Sequence, residues 1–301
     1  MNRISANTKR AGRLVARRHW LGLAMRAIRL LIAQEQSTDS LVQASYDRIA
    51  SDYDLTWTNH MRGLTEAMLD TLAPQRDCRC LDLACGTGFV AGWLARHTAE
   101  EVTGVDASAG MLEIARNNYP KVRFVQADAA EYLRTLPANS LDVVTCCWGL
   151  GYTRPITVIR QASRILRPGG RLAVIDNGLF SLAEVMWTSL LTFAETPESL
   201  AHAMRVRFLP GVWALTWLMR MAGLSVIWQD SGRKSYLVPD GQAAIDQLMS
   251  TGAAAGFEFA TRPQNKQRVF DRFAELLNDR FRNDEGIRIT HRYLAAIGRK
   301  R

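Results

Sequence analysis

The sequence contains no C-x-x-C pair, and none of its five cysteines (Cys78, Cys80, Cys85, Cys146, Cys147) stands at a spacing from histidine that suits zinc. That excludes a dithiol redox centre and a structural zinc module, and no metal is expected. The cysteines read as small buried hydrophobes of a reducing, cytoplasmic compartment. Long apolar runs are missing too. The most lipid-like segment, Phe208 to Trp228, is broken by Arg220, and its longest uncharged stretch, Phe208 to Met219, is twelve residues, against the ~20 that span a bilayer. Arg26 and Arg29 interrupt the one early apolar run, so no secretory signal is expected. Internal repeats and low-complexity tracts are absent. Acidic residues are absent from positions 1–34, and this absence locates the charge. Eight cations against Glu35 give residues 1–35 a charge of +7, out of +9 for all 301 residues. The basic character belongs to an arm, and the remainder is nearly neutral.

Within that arm, apolar residues recur at helical spacing from Trp20 to Ile32: Leu21, Ala24, Met25, Ile28, Leu31 and Ile32, with Arg26 and Arg29 elsewhere on the helix. A basic amphipathic helix is consistent with docking on its own domain, with a membrane interface, or with a contact to RNA phosphates. The acid-free stretch also fits an organelle transit peptide if the source is eukaryotic. After the polar break Gln36 to Ser40, helices are expected around Tyr46 to Tyr53 and Arg62 to Leu72. Strands and helices then alternate as in a parallel α/β sheet. Strands are expected near 79–84, 101–106, 121–126, 141–147 and 170–176, with helices near 88–97, 108–118, 129–135 and 155–166. Beyond Asn177 the alternation stops. Residues 178–240 carry four of the eight tryptophans in mostly helical patterns and read as an inserted cap. A helix near 241–253, a strand near 256–261, a charged helix near 267–280 and a last strand near 288–298 follow. Gly223 to Trp228 is an alternative sixth strand.

Leu81 to Ala91, L-D-L-A-C-G-T-G-F-V-A, reads as a buried strand, a turn with two glycines and a helix opening at Phe89. Such a turn lets backbone approach a nucleotide closely and aims unpaired helix N–H groups at it. Its glycines alone also satisfy the relaxed dinucleotide pattern G-x-G-x-x-A. The acids that follow decide the matter. Asp82 lies inside the turn region, Asp106 ends the second strand, and Asp128 ends the third. Three carboxylates along one sheet edge suit a cationic nucleoside without phosphates, because Asp82 would repel a pyrophosphate. Asp128 is also open to a role as a helix N-cap.

These segments resemble a family. L-D-L-A-C-G-T-G (81–88), V-D-A-S (105–108), Q-A-D-A (126–129), N-S-L-D-V-V-T-C-C-W-G-L (139–150) and L-R-P-G-G-R-L-A-V (166–174) occur in the order and spacing of class I S-adenosylmethionine-dependent methyltransferases, of the type that includes ubiquinone/menaquinone C-methyltransferases. The Tyr46 to Asp54 segment resembles the family's lead helix, and residues 288–299 resemble its antiparallel closing strand. The resemblance implies an α/β fold: a doubly wound, seven-stranded Rossmann-like sheet with an antiparallel last strand and a mostly helical insertion. The expected organisation is an arm (1–36), a cofactor-binding core (37–177), the insertion (178–240) and a completion of the sheet (241–301). S-adenosylmethionine is the implied cofactor. Gly86 and Gly88 would face its methionine portion, Asp82 its ammonium, Asp106 its ribose, and Asp128 with the Ala129 backbone its adenine. Cys147 and Trp148 would line the route to the acceptor, and Tyr46 would close the pocket.

Methyl transfer from a sulfonium mainly needs positioning and exclusion of water, so a dedicated base is optional. The candidates are His60, Tyr152, Asp176 and His202. Base N-methylation usually shows an Asn/Asp-Pro-Pro-aromatic loop, and RNA cytosine-5 methylation a Pro-Cys nucleophile. Cys146-Cys147-Trp148-Gly149 offers neither, so nucleic acid is not the expected partner, and only the arm argues for RNA. A helix carrying Trp213, Leu215, Trp217, Leu218 and Met221 could wall an apolar pocket, serve as core packing within the insertion or form a dimer contact. The expected acceptor is a small apolar or lipid-like molecule, collected through residues 1–35 at the inner face of a membrane. The alternatives are an RNA methyltransferase and a non-catalytic scaffold with this fold. The family's compact quinone enzymes lack an insertion this long.

Overall fold

A computed structural model describes residues 19–33, 38–252 and 257–301. The arginine-rich lead 1–18 and the Gln36–Ser37 part of the polar break lie outside the described residues. Helix α1 (residues 19–33) is followed by α2 (Thr38–Tyr53), a π-helical turn (Asp54–Thr58) and α3 (Asn59–Leu72). The alternating region then runs β1 (Cys80–Leu83), α4 (Phe89–His97), β2 (Val102–Asp106), α5 (Ala109–Asn118), β3 (Arg123–Gln126), α6 (Ala129–Thr135), β4 (Leu141–Cys147), α7 (Pro155–Ile165) and β5 (Leu166–Asn177). Every expected strand and helix of this stretch is present. Ser108 and Asp128 cap α5 and α6 by accepting from Met111 N and Glu131 N. Pro155 stands in the first turn of α7, where its missing N–H costs nothing.

The remaining elements are α8 (Ala183–Glu195), α9 (Val212–Met221), β6 (Leu224–Val238), α10 (Gly241–Thr251), α11 (Lys266–Phe281), the two-residue β7 (Arg282–Asn283) and β8 (Gly286–Lys300). Along the sheet the strands run β3-β2-β1-β4-β5-β8-β6, and β7 forms a short hairpin with β8. Strands β1 to β5 are parallel, and β8 runs antiparallel to both β5 and β6. This is the doubly wound, Rossmann-like sheet with an antiparallel last strand.

Three expectations are corrected. The sixth strand is Leu224–Val238, and the described part of 256–261 holds a 3-10 turn, Phe257–Phe259, instead. The Gly223 to Trp228 alternative starts at the right place but stops short. With β6 assigned to the sheet, the helical insertion contracts to 178–223. The α9 helix does not wall a pocket: Leu215 and Met219 are buried against α7 and the sheet, while Trp213, Trp217 and Met221 face outward.

The cap is built instead from α8, α10 and α11. Strand β5 ends at Asn177 opposite Tyr293, but β6 and β8 continue beyond it as a two-stranded ribbon, Val238 pairing with Ile287. Leu182 and Val185 of the α8 region, Ile245 and Leu248 of α10, and Phe273 and Leu277 of α11 pack on Val238, Ile287 and Ile289 of that ribbon. Helix α1 docks on this cap through Leu23, Ala27 and Leu30 against Phe193, Ala194, Leu200 and Ala260, and Trp20 stacks on Trp187. The expected apolar stripe is therefore not the docked face. Leu21, Ala24, Met25, Ile28, Leu31 and Ile32 are all exposed.

Candidate functional site

At the carboxyl ends of β1 and β4 the backbone leaves the sheet under strain. Ala84 and Trp148, neither of them glycine, adopt φ of +52° and +62°, and Gly86 and Gly88 adopt +52° and +86°. The two strand ends crowd together, since a Cβ on Gly149 would stand 2.4 Å from the Ala84 Cβ. Between these ends opens a cleft with the mixed polar and apolar lining of a small-molecule site. Its walls include Gly86, Asp106, Asp128, Ala129 and Cys147 from the sheet edge, and Tyr46, Tyr53 and Tyr152 from above. An inner lobe of about 440 Å³ shares Tyr53, Ala84, Gly86, Cys147 and Trp148 with it and adds Asp82, Trp57 and Met61. Seven of the eight residues expected around the cofactor, all but Gly88, thus line this pair of lobes.

Gly88 is a correction. It is the left-handed N-cap of α4, and a Cβ there would press on Phe124, Tyr119 and Ala115 within 3.1 Å. Its lack of a side chain serves helix–strand packing and not ligand approach.

The acids differ in what they already hold. Asp106 accepts from Gly86 N at 2.8 Å through one oxygen and from Ser108 N at 2.9 Å through the other, so it braces the glycine turn. Each oxygen keeps a lone pair for a ribose hydroxyl. Asp128 caps α6 with one oxygen and lines the cleft, so both roles open to it in the sequence are compatible. Asp82 is the unusual one. One oxygen accepts from Thr145 Oγ1 at 2.7 Å, while Oδ2 is buried without a partner. Burial, opposed by the Thr145 hydroxyl, pushes its carboxyl up to about 7. A buried carboxylate oxygen lacking a partner is a standing demand for a cation. The α-ammonium of S-adenosylmethionine meets that demand, so the residues present fit this cofactor.

The aromatic roof is held by two aspartates that the sequence reading missed. Asp47 on α2 accepts from Ser108 Oγ at 2.6 Å and from Gly110 N at 3.0 Å. Asp54 in the π-helical turn accepts from Thr87 Oγ1 at 2.5 Å and Thr58 Oγ1 at 2.7 Å. Together they tie the lead helix to α5 and to the glycine turn. Tyr46 meets Tyr53 and Tyr152 edge-on, and Tyr152 meets Phe208. Burial raises all three tyrosine pKa values, so the phenols stay protonated as donors.

The candidate bases separate. Tyr152 lines the outer lobe. Asp176 is buried with both oxygens in use, accepting from Gly151 N at 2.6 Å and Asn177 N at 2.7 Å. Burial raises it to about 7, yet it lines neither lobe and serves to hold the Leu150–Tyr152 turn. His202 lies in the chain before α9, tied by its backbone to Ala260, and lines neither lobe. His60 also lines neither lobe and lies against the rings of Tyr236 and His291. Burial raises the Cys147 thiol well above its ordinary value, so it is a wall and not a nucleophile.

Residues 81–174 match the family model described as a methyltransferase domain. The chain is 30% identical over 154 residues to the mitochondrial 2-methoxy-6-polyprenyl-1,4-benzoquinol methylase of Caenorhabditis elegans, covering 47% of this chain and 54% of that protein. It is 35% identical over 143 residues to the demethylmenaquinone methyltransferase of Clavibacter sepedonicus, covering 45% and 57%. The matches span a little over half the length of these relatives. Among solved structures, the YcgJ protein of Bacillus subtilis superposes with a TM-score of 0.53 at 20% identity, over 78% of this chain and 97% of that one. The cyclase SpnF superposes at 0.54 with 19% identity, over 88% and 96%. At these identities the superpositions concern the fold alone.

Proposed function

We propose that this chain, which carries a class I S-adenosylmethionine-dependent methyltransferase domain of Rossmann-like fold, transfers methyl groups to a small apolar or lipid-like acceptor at a membrane surface. The observation that carries the donor half is Asp82 Oδ2, buried and unpartnered at the floor of the inner lobe. Asp82 would hold the ammonium, Asp106 the ribose hydroxyls, and Asp128 with the Ala129 N–H the adenine amino face, under a roof of Tyr46 and Tyr53. Bound there, S-adenosylmethionine supplies an electrophilic methyl on a sulfonium. The protein's task is then to hold the acceptor in line and keep water out. Trp57, Met61, Phe89 and Trp148 give the inner lobe walls suited to both.

Two features support an acceptor with apolar bulk. The cap carries a further apolar pocket, lined by Leu182, Val185, Phe193, Leu248, Val269 and Phe273 among others, whose walls suit an aliphatic group. Helix α1 presents Leu21, Met25, Ile28 and Ile32 to solvent at i, i+4, i+7 and i+11, and Arg29 is exposed on the same helix. Such a face suits anionic headgroups with an apolar layer beneath. Among the described residues no helix is long and apolar enough to cross a membrane.

The test is to incubate the full chain with methyl-labelled S-adenosylmethionine and fractionated lysate. Label in the organic-extractable fraction is the expected result. Label in RNA would replace this acceptor with the one the basic arm alone suggests. No transfer to any fraction, with cofactor binding intact, would leave a non-catalytic scaffold.

A further inference from the structure

Helices α7 and α9 lie side by side on one face of the sheet. Val158, Ile159 and Ala162 of α7 share a core with Leu215 and Met219 of α9, and Ser163 Oγ donates to Ala222 O at 2.7 Å. Their outward sides therefore form one surface. Trp213, Trp217 and Met221 recur along it at i, i+4 and i+8 and are 67%, 56% and 69% exposed, and Ile156 of α7 is exposed as well. Tryptophans left this open mark a contact surface more often than a solvated one. The charge of the layer has one sign. Residues 143–175 hold five arginines and residues 199–229 three, and neither stretch holds an aspartate or glutamate. Arg154, Arg160 and Arg220 are exposed on the two helices. Acids return on the flanking elements, as Glu131 of α6 and Asp230 of β6. On the opposite face of the sheet α3 mixes Arg62 with Glu66 and Asp70, so the bias is particular to this layer.

We propose that the α7–α9 layer is a docking face for an anionic lipid bilayer and that, with α1, it brings the rim of the donor cleft to the lipid. The inference rests on the membrane half of the reading above and names the second surface of that contact. Tryptophan rings sit at headgroup depth, arginines reach the phosphates, and Met221 and Ile156 find hydrocarbon beneath. RNA would use the rings for stacking but leaves Met221 and Ile156 without a counterpart. A two-fold contact with a second copy would press this one-signed patch against itself. The chain between α8 and α9 links the layer to α1. Arg205 donates through Nη2 to Leu31 O of α1, and Leu209 O accepts from Leu179 N at 2.8 Å. Residues 205 and 209 are at most about 14 Å apart along the chain, and Leu179 and Phe180 are exposed at the far end. Between them Arg207, which faces Asp39 at 3.9 Å, donates from its backbone N to Gly151 O at 2.8 Å, and Phe208 meets Tyr152 at 5.3 Å. Asp39, Tyr152 and Thr153 line the outer lobe, so the turn that leads into α7 is also the rim of the cleft. An apolar acceptor dissolved in the bilayer would meet the cleft there without crossing bulk water. Either surface alone is a marginal anchor, and stable attachment needs both.

The experiment measures cosedimentation of the full chain with vesicles of phosphatidylcholine and phosphatidylglycerol in equal parts, and with vesicles of phosphatidylcholine alone. Trp213→Glu with Trp217→Glu should weaken binding to the mixed vesicles by about tenfold or more. Arg160→Gln with Arg220→Gln should weaken it by about fivefold or more, with little change on phosphatidylcholine alone. All four side chains are exposed, so S-adenosylhomocysteine affinity should be unchanged in both pairs. If the glutamate pair fails to fold, Trp213→Phe with Trp217→Phe carries the test. Brominated acyl chains should quench the tryptophan fluorescence of the parent, and in the phenylalanine pair that quenching should fall by about half or more while binding stays within about threefold. Vesicle binding by the parent that the glutamate and glutamine pairs leave unchanged, with quenching kept in the phenylalanine pair, would overturn this assignment and leave α1 as the membrane contact. Absence of vesicle binding by the parent would overturn the membrane reading and this inference together. Vesicle binding kept in the glutamate pair, with loss of self-association in sedimentation velocity or of polyuridylate binding, would give the face to a second copy or to RNA and overturn the proposal.

Discussion

Asp82 concentrates the chemistry of the site in one side chain. Its carboxyl is raised from 3.8 to about 7 because burial leaves Oδ2 without a counter-charge. The folded chain therefore holds that proton better than the unfolded chain does. The resulting stability is fully present below the ordinary carboxylate range and is lost as pH rises through about 7. Asp82→Asn, which cannot ionise, should be more stable than the parent at pH 8 by about 1–3 kcal/mol and show little advantage at pH 4, as read by thermal unfolding of the ligand-free chain. An advantage independent of pH would mean that Asp82 ionises normally. Cofactor affinity should change in the opposite sense, rising as pH goes from 6 to 8, because the ionised form is the one that pairs with ammonium. At this scale the sequence was legible for residues at strand ends, since strand order and spacing alone bring Asp82, Asp106 and Asp128 to one edge. It was not legible for Asp47 or Asp54, whose roles depend on the lead helix folding back across the edge. Gly88 was misread because the pattern that places a glycine in a turn does not say which of its faces meets the ligand.

The elements divide into a sheet that the pattern specified and a cap that it did not. Apolar runs bounded by turns gave β1 to β5 within a few residues, because β1, β2, β4 and the second half of β5 are largely buried on both faces, while the edge strand β3 is only partly buried. Strand β6 was read as part of a helical insertion because its outer half alternates exposed polar residues, Ser231, Arg233 and Ser235, along a ribbon packed on one side only. Helix α9 stayed open between a pocket wall and packing because tryptophans suit either: Leu215 is core, while Trp213 and Trp217 lie on the solvent face. The close approach of β1 and β4 makes a direct test of the packing. Gly149→Ala would place a Cβ 2.4 Å from the Ala84 Cβ, and should cost about 1–3 kcal/mol in thermal or denaturant unfolding. Unchanged stability would mean that the two strand ends can part. Helix α1 makes a second test. Replacing Ile28 and Ile32 with Glu touches no docked residue, yet should weaken binding to anionic vesicles by about tenfold or more. Vesicle binding that survives this change, or that survives truncation to Ser37, would remove the membrane from the account.

Across the whole molecule, one sheet edge serves as the meeting place of three separate constructions. The glycine turn and three acids form the floor, and the lead helix, latched through Asp47 and Asp54, forms the roof. The ribbon of β6 and β8 brings His291 against Trp57 and Tyr236 against His291. Charge follows the same division, with residues 1–35 holding most of the net +9 and the body nearly neutral, so vesicle association should weaken with salt while cofactor binding does not. The most direct measurement is a calorimetric titration of S-adenosylhomocysteine into the full chain and into Asp82→Asn at pH 7.5. The account predicts saturable one-to-one binding that weakens by about tenfold or more in the variant, the loss expected for a hydrogen bond to a charged group. Absence of binding to the parent, or equal affinity in the two, would contradict it.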